Sequence, residues 1–520
     1  MIKKLKELPE WLLLTGAIIY YFLLSLYKFL QAPLWGDEMT EYYTSFFQNA
    51  PIPGVTEASS MYERLITMQQ QPPLYSYVMG VWRLIRDTEF WLRFSSVVFC
   101  LGSVVAIYFI MRKLANRWIA FVAAIVFSSM YQVQYYVKET AEYALLLPLL
   151  FWTIYCFILV LEKTTLKRII AFTLMCVISV YTQYGAVFIV VPTALQVLYR
   201  CLKTGEKKLF KLTLGLYAAS VALAGLPLFI FYLIPQSVNP VGTLVLEKTV
   251  EFNKNFLYDF FLGFTSLFDW LMLDYDRDGA RMMGFMWLLA FIFILVGILL
   301  VIRKKDTVFN NLLFTCLLTY ILYYICNKTK FYAYGWFGTR YCLFFLPLLF
   351  IASAYMLSLV LRELSERAGN TPNRIIQSLV FLAAVLYCCY GVYRVHNHWW
   401  KSDERAVVAY WYDNDLVREI TFVDYLQRLS YIYYLDHDER YDESYWDSHY
   451  VNTSLESTKY STEEWINYLQ TTIWPEGLPE RFYVVTGYHN TLIQTLESMG
   501  YHAEPIIDNT SDLFYMTKVR

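Results

Sequence analysis

LRFSSVVFCLGSVVAIYFIMRK, residues 92–113, carries Arg93 at its start, runs uncharged to Met111 and closes on Arg112 and Lys113. A helix rises about 1.5 Å per residue, so this uncharged run matches the roughly 30 Å of hydrocarbon in a bilayer. Its charges sit at the two ends, where water begins. The stretch reads as a membrane span, and the same pattern recurs along the chain. Apolar runs of this kind predict helices near 11–30, 92–111, 118–136, 143–161, 168–183, 186–200, 210–234, 282–302, 309–326, 341–361 and 375–394. That makes about eleven crossings. The run at 11–30 follows Lys3, Lys4 and Lys6 as a signal peptide would, but it lacks a small-x-small cleavage site and is long enough to span, so it reads as an anchor.

Composition agrees. Hydrophobic residues are 57% of the chain, charged residues 17%, and the mean hydropathy is +0.37, which excludes an ordinary soluble protein. The net charge of −1 conceals a segregation by side. Arg112, Lys113 and Arg117; Lys163, Lys167 and Arg168; Lys203, Lys207, Lys208 and Lys211; Arg303, Lys304 and Lys305; and Arg362, Arg367 and Arg374 all fall on the side of the N-terminus. By the excess of Lys and Arg in cytoplasmic loops, that side is the cytoplasm. The opposite side receives segment 31–91, the turn Lys138 to Glu142, the turn at Gln183, segment 235–281, the turn 327–340 and everything after about 396. Nothing in this distribution points to nucleic acid.

The nine Cys lie in or beside apolar spans and offer no disulfide framework. All six His follow the last apolar run, which sets histidine chemistry outside the membrane portion. Beyond Arg394 polar residues become frequent, with strand-like runs at Glu419 to Val423 and Arg481 to Thr486. A helix near Asn490 to Met499, closed by Gly500, and further strands through Ile506 and Leu513 to Thr517 give βαββ order. The expected fold is therefore mainly α: a polytopic membrane domain over 1–395 with external loops 31–91 and 235–281, then a small extracytoplasmic α/β domain over 396–520.

Chemistry concentrates on the non-cytoplasmic side. Pro33-Leu34-Trp35-Gly36-Asp37-Glu38 sets two adjacent carboxylates just beyond a span, in a loop whose length favours a functional role. The same loop ends on Gln71-Pro72-Pro73-Leu74-Tyr75, where the prolines preset a helix start. Lys138-Glu139-Thr140-Ala141-Glu142-Tyr143 places charges against an apolar helix, a costly position unless they are paired or wet. Two acidic residues there also suit the helix dipole, and Arg93 or Arg340 alone would read as a snorkelling anchor. Taken together, Asp37, Glu38 and Glu139 beside Arg93, Lys138, Lys328, Lys330 and Arg340 supply what glycosyl transfer from a phosphate-linked sugar requires: carboxylates as base or metal ligands, and cations for a phosphate leaving group. Membrane embedding makes a lipid the carrier.

These motifs resemble the polyprenol-phosphate-sugar-dependent glycosyltransferases of the C-type fold, the superfamily of protein O-mannosyltransferases and the lipid A aminoarabinose transferase. Trp35-Gly36-Asp37-Glu38 is similar to the family's W-x-D-E loop, and Gln71-Pro72-Pro73-Leu74-Tyr75 to its H-P-P-L-Y element. Arg93-Phe94-Ser95-Ser96 resembles R-L-P-S, Glu139 to Leu145 resembles E-A-R-x-Y-A-L, and Tyr181-Thr182-Gln183-Tyr184 resembles Y-T-H-Y. Arg340-Tyr341 with Leu346-Pro347, and Ser402-Asp403-Glu404-Arg405-Ala406, complete the series in order. The resemblance implies Asp37 as catalytic carboxylate, Glu38 and Glu139 as its neighbours or as ligands to a divalent metal ion, and Arg93, Lys138 and Arg340 as holders of the donor phosphate. It implies inversion at the anomeric carbon, with transfer to a glycan, lipid or protein acceptor at the plasma (inner) membrane. Segment 235–281, with Asp269-Trp270 and the acidic Asp274, Asp276 and Asp278, resembles the family's amphipathic external loop. Gln at 71 and 183 where the family has His, and Ala141 where it has Arg, put donor recognition and metal use beyond what the resemblance carries.

Two other readings compete. A transporter or flippase would place charges near the bilayer midplane and show inverted repeats; here charges gather at one face and no repeat is visible. An oligosaccharide ligase using a pyrophosphate-linked glycan shares the architecture, and the Trp-Gly-Asp-Glu loop with the proline pair favours monosaccharide transfer. The Asp436-His437-Asp438 string in the tail reads as surface residues ahead of a metal site.

Overall fold

The computed structural model describes residues 9–31, 33–52, 54–239, 256–272, 280–329, 340–367, 370–397, 403–454, 457, 459–486, 490–507 and 512–519. Lys330, Asp274, Asp276, Asp278, Ser402, His398 and His489, all singled out in the sequence, lie outside these residues. The chain forms two compact units: residues 1–27 with 70–397, and residues 28–69 with 398–520. The first long loop thus divides between them, its Trp-Gly-Asp-Glu end going with the C-terminal residues.

The first unit is helical. Among the described residues, seven helices are long and apolar enough to cross a membrane, and eight if the bent pair Arg117–Ser129 and Tyr131–Val137 makes one span. Of the other predicted spans, Glu10–Leu26 and Leu166–Thr182 are helices of 17 residues each, and a 25-residue helix covers Ala280–Lys304. The basic clusters are tied together by ion pairs: Arg112 to Glu10 at 2.7 Å, Lys113 to Glu162 at 2.8 Å, and Lys304 to Glu363 at 3.7 Å. Between the ends the core is aromatic and aliphatic, with Phe127 set edge-on between Phe151 and Phe350. One expectation needs correcting. His396 is not beyond the last span but on the last turn of the helix Asn370–Asn397, its Nδ1 2.7 Å from the Tyr27 hydroxyl. The sequence reading ended that span at the last uninterrupted apolar stretch, whereas backbone hydrogen bonding carries the helix past Arg394.

The bent pair turns by 63° at Met130, whose extended backbone (φ −63°, ψ 131°) interrupts the helix without proline or glycine. Side chains satisfy what the break exposes. Gln134 Nε2 donates to the Ser128 carbonyl at 2.7 Å, and Tyr20 and Ser129 share a hydroxyl pair at 2.7 Å. Unsatisfied backbone groups are expensive away from water, so a break at membrane depth requires such partners. The helix Asn370–Asn397 crosses at this point, and Gly391 brings its backbone so near Ser129 that a Cβ there would overlap the Ser129 carbonyl. The long helix Lys207–Ser237 is shaped differently. Pro227 and Pro235 each remove a donor, and wider π-type turns occupy Val221–Gly225 and Phe229–Leu233 just upstream.

The second unit is built on a five-stranded sheet of β1 (Thr421–Val423), β2 (His449–Val451), β3 (Arg481–Thr486), β4 (Tyr501–Ile507) and β5 (Asp512–Lys518), in the order β2-β1-β3-β5-β4. β1 runs parallel to β2 and β3, while β5 is antiparallel to β3 and β4. The βαββ order expected near the C-terminus is present, and Gly500 takes the positive φ (88°) that ends the helix Asn490–Ser498. Strand alternation sends Phe422 and Val484 into one core with Trp465, Trp474 and Leu496, and Val423 and Val485 into another with Trp411, Tyr431 and Leu435.

Replacing Gly391 with Ala should cost about 1–3 kcal/mol through overpacking and lower the melting temperature of the purified protein. Gly215→Ala, where a Cβ meets open space, should be neutral or stabilising in the same assay.

Candidate active site

The turn from Lys138 to Glu142 follows from the break at Met130. The short helix Tyr131–Val137 ends at Lys138, and Glu142 precedes the helix Tyr143–Glu162. The side chains of Lys138, Glu139 and Glu142 are all buried. Lys138 Nζ donates to the Tyr27 carbonyl at 2.6 Å, just past the end of Glu10–Leu26, so the ammonium serves the C-terminal end of that helix. Ser96 Oγ donates to the Glu139 carbonyl at 2.6 Å and fixes the turn to the helix Glu89–Leu114. Arg93, one turn before Ser96, is fully buried and pairs with Glu89 at 3.1 Å.

Burial pushes the Glu142 carboxyl up to about 7, against the opposing pull of the Arg340 charge and with Glu139 adding to the rise. Arg340 opens the tight turn Arg340–Phe345 and donates through Nη2 to the Tyr341 hydroxyl at 3.2 Å. Lys328, another of the expected cations, is committed to Asp259 at 3.2 Å. The first unit therefore groups Lys138, Glu139 and Glu142 in one turn, couples Arg340 to it electrostatically, and joins Arg93 to it through the helix that carries Ser96.

Carboxamides extend this cluster. Gln183 Nε2 donates to Glu142 Oε1 at 3.4 Å, Tyr184 donates its hydroxyl to Gln236 Oε1 at 2.8 Å, and Gln236 Nε2 donates to the Gln71 carbonyl at 2.9 Å. All three Gln side chains are buried. Gln236 went unnoticed in the sequence, although a polar residue just after Pro235 at the end of an apolar run was the available signal.

Asp37 and Glu38 belong to the second unit. They occupy the first turn of the helix Gly36–Thr44, where the positive end of the dipole favours carboxylates. Asp37 is half-buried; Glu38 is fully buried and accepts from the Trp35 backbone N–H at 3.3 Å. This loop is fastened to the C-terminal residues. The Leu34 N–H donates to the Tyr434 hydroxyl at 2.6 Å, a Cβ on Gly36 would come within 3.2 Å of the Leu426 carbonyl, and the Tyr42 hydroxyl meets His437 Nε2 at 3.2 Å. His437 stacks on Tyr433 at 4.1 Å, and Asp438 pairs with Arg440 at 2.8 Å. The Asp436-His437-Asp438 string is thus used for packing and pairing. These contacts span nearly 400 residues of sequence and left no local signal.

Residues 70–231 match the family described as dolichyl-phosphate-mannose-protein mannosyltransferase. The matched segment holds Gln71, Arg93, the Lys138–Glu142 turn and Gln183. The fold resembles that of ArnT from Cupriavidus metallidurans bound to undecaprenyl phosphate, at 12% identity and a TM-score of 0.54, over 97% of each chain. It also resembles the oligosaccharyltransferase of Archaeoglobus fulgidus in its apo form, at 12% identity and a TM-score of 0.56, over 95% of this chain and 73% of that one. The chain thus has the fold of these membrane enzymes, and its residues 70–231 carry the sequence of that mannosyltransferase family. It resembles as well a second structure of the archaeal enzyme, a complex with zinc and sulfate, at 13% identity and a TM-score of 0.51, over 81% of this chain and 61% of that one. No curated protein sequence matches the chain.

Two predictions follow from this geometry. The native state keeps a proton on Glu142 up to pH about 7, while an unfolded carboxyl loses it near 4.5. The resulting stability, about 3 kcal/mol, is full below pH 4.5 and lost as pH rises through 7. Glu142→Gln should flatten the melting temperature across this window. In the second unit, Tyr434→Phe removes the acceptor for the Leu34 N–H and should cost about 1 kcal/mol, read as faster proteolysis near residue 34 with the rest of the digestion pattern unchanged.

Proposed function

We propose that this protein is an integral membrane glycosyltransferase that moves a sugar from a polyprenyl-phosphate donor to an acceptor on the non-cytoplasmic face. The observation that carries the reading is the buried Lys138–Glu142 turn with Arg340 acting on Glu142, inside a helical unit of matching family and fold. Ionisable groups buried in a membrane protein are expensive, and their presence marks a working site. In this reading about eleven spans set the N-terminus in the cytoplasm and the α/β domain outside, in the plasma (inner) membrane.

The acceptor hydroxyl attacks the anomeric carbon from the face opposite the phosphate. The new C–O bond forms as the bond to the phosphate oxygen breaks, and the configuration inverts. Asp37 takes the hydroxyl proton or orients it. Lys138 and Arg340 hold the departing polyprenyl phosphate by charge-assisted hydrogen bonds, and Arg93, tied to Glu89, adds its field. Glu38 fixes the loop through Trp35 while standing next to the catalytic carboxylate. Asp37, Glu38 and Glu139 each offer the oxygen ligands that hard divalent cations prefer, and an ion held by any of them would supply further positive charge for the phosphate. Among the described residues no three His, Cys, Asp or Glu side chains gather as a metal site. The resemblance to an oligosaccharyltransferase keeps a second reading in view, transfer of a whole glycan from a pyrophosphate-linked lipid.

Asp37→Asn should reduce transfer of radiolabelled sugar from polyprenyl-phosphate donors to membrane acceptors by at least about a hundred-fold, with the protein still inserted and its melting temperature unchanged. Unaltered transfer would remove Asp37 from the mechanism.

A further inference from the structure

Among the buried carboxamides of the first unit that end on an atom without a protein partner, two lie beside the Lys138–Glu142 turn or its Gln236 brace. Gln71 is 8% exposed and its Nε2 donates to nothing; Gln183 is 4% exposed and its Oε1 accepts from nothing. The second case has Glu142 as its neighbour. A carboxyl oxygen of Glu142 accepts from Gln183 Nε2 at 3.4 Å, and the amide's oxygen is the end left over. Buried polar atoms are almost always hydrogen-bonded, and each specific exception asks for a ligand or water.

The two are parts of one assembly. Gln236 bridges them, donating to the carbonyl of Gln71 and accepting from Tyr184, the residue next to Gln183. The supports are rigid. Gln71 precedes the proline pair that starts the helix Leu74–Arg83, Gln183 caps the helix Leu166–Thr182, and Gln236 lies on the final turn Ile234–Ser237. The orphaned atoms are therefore one donor, on Gln71, and one acceptor, on Gln183, in residues joined through Gln236 and Tyr184, with Gln183 against the carboxyl group of Glu142.

That pair discriminates between chemical groups. A hydroxyl both donates and accepts, so hydroxyls of a neutral sugar satisfy Gln71 Nε2 and Gln183 Oε1 alike. An ammonium only donates and would leave Gln71 unsatisfied. Unlike imidazoles, carboxamides also keep these roles at every pH in the physiological range. We propose that Gln71 and Gln183, braced by Gln236, bind the hydroxyls of the donor's sugar and select a neutral, hydroxyl-rich sugar over an amino sugar. The proposal rests on the glycosyl-transfer reading and names the class of sugar that reading leaves open.

The test is steady-state transfer by the full-length protein in lipid nanodiscs. The donors are undecaprenyl-phosphate-linked glucose, mannose and galactose, their monodeoxy analogues, and undecaprenyl-phosphate-linked 4-amino-4-deoxyarabinose. Wild type should use a neutral hexose, and one deoxy analogue should lose about ten-fold or more in kcat/KM. Gln71→Ala and Gln183→Leu should each raise KM for the full hexose by a similar factor, with a smaller change in kcat, and should no longer distinguish it from that analogue. Preference for the amino sugar, or variants that discriminate as wild type does, would overturn the subsite while leaving transfer and its dependence on Asp37 intact. Absence of transfer from every donor would instead overturn the glycosyl-transfer reading, and the subsite with it. The deoxy donors test the wild-type protein directly, so a variant that fails to fold does not decide the matter.

Discussion

Lys138, Glu139 and Glu142 lie within five residues of one another and are all buried in a unit whose other surfaces are largely hydrocarbon. Removing a charge from water costs several kcal/mol unless the protein replaces what water supplied. The first unit supplies it in three ways: the Tyr27 carbonyl for the Lys138 ammonium, the Ser96 hydroxyl for the turn's backbone, and Gln183 with the Arg340 charge for Glu142. Each of these requires a helix to stop at a particular place. The break at Met130, the stop at Thr182 and the tight turn at Arg340 are therefore conditions for the cluster as much as features of the fold. The helix Asn370–Asn397 crosses beside the Met130 break at Gly391, where only a residue without a side chain lets the backbones approach so far.

The carboxylates Asp37 and Glu38 have a different support. Their helix follows directly on a span in sequence, yet its hydrogen bonds and ring contacts are with Tyr433, Tyr434 and His437. The α/β residues are thus a platform for the Trp-Gly-Asp-Glu loop. Arg64 serves the same unit from the other end of the loop, donating to the carbonyls of Gln48 and Ala58 and so organising a stretch that has little regular structure of its own.

Much of this was legible in the sequence because lipid enforces a simple rule: about twenty uncharged residues, then a charge. The helices of the first unit and the βαββ order of the second could be read from it and from strand alternation, as could the cluster at Lys138–Glu142. What stayed hidden has a common cause. The bend at Met130 carries no proline or glycine, so 118–136 reads as one straight span. The Tyr434 and His437 contacts depend on residues nearly 400 positions apart, and neither end is unusual locally. Gln236 looks like the polar end of a span until its two partners are seen. His396 was placed outside because apolar character fades before the helix does.

The shared fold leaves the nature of the leaving group as the point on which the proposed function turns, since cations suited to a monophosphate would also attract a pyrophosphate. The decisive measurement is the identity of the lipid released when the purified protein turns over. With an undecaprenyl-phosphate sugar as donor, the account predicts stoichiometric undecaprenyl monophosphate, one per sugar transferred and only when acceptor is present. Turnover from a pyrophosphate-linked glycan alone, releasing the pyrophosphate lipid, would contradict it.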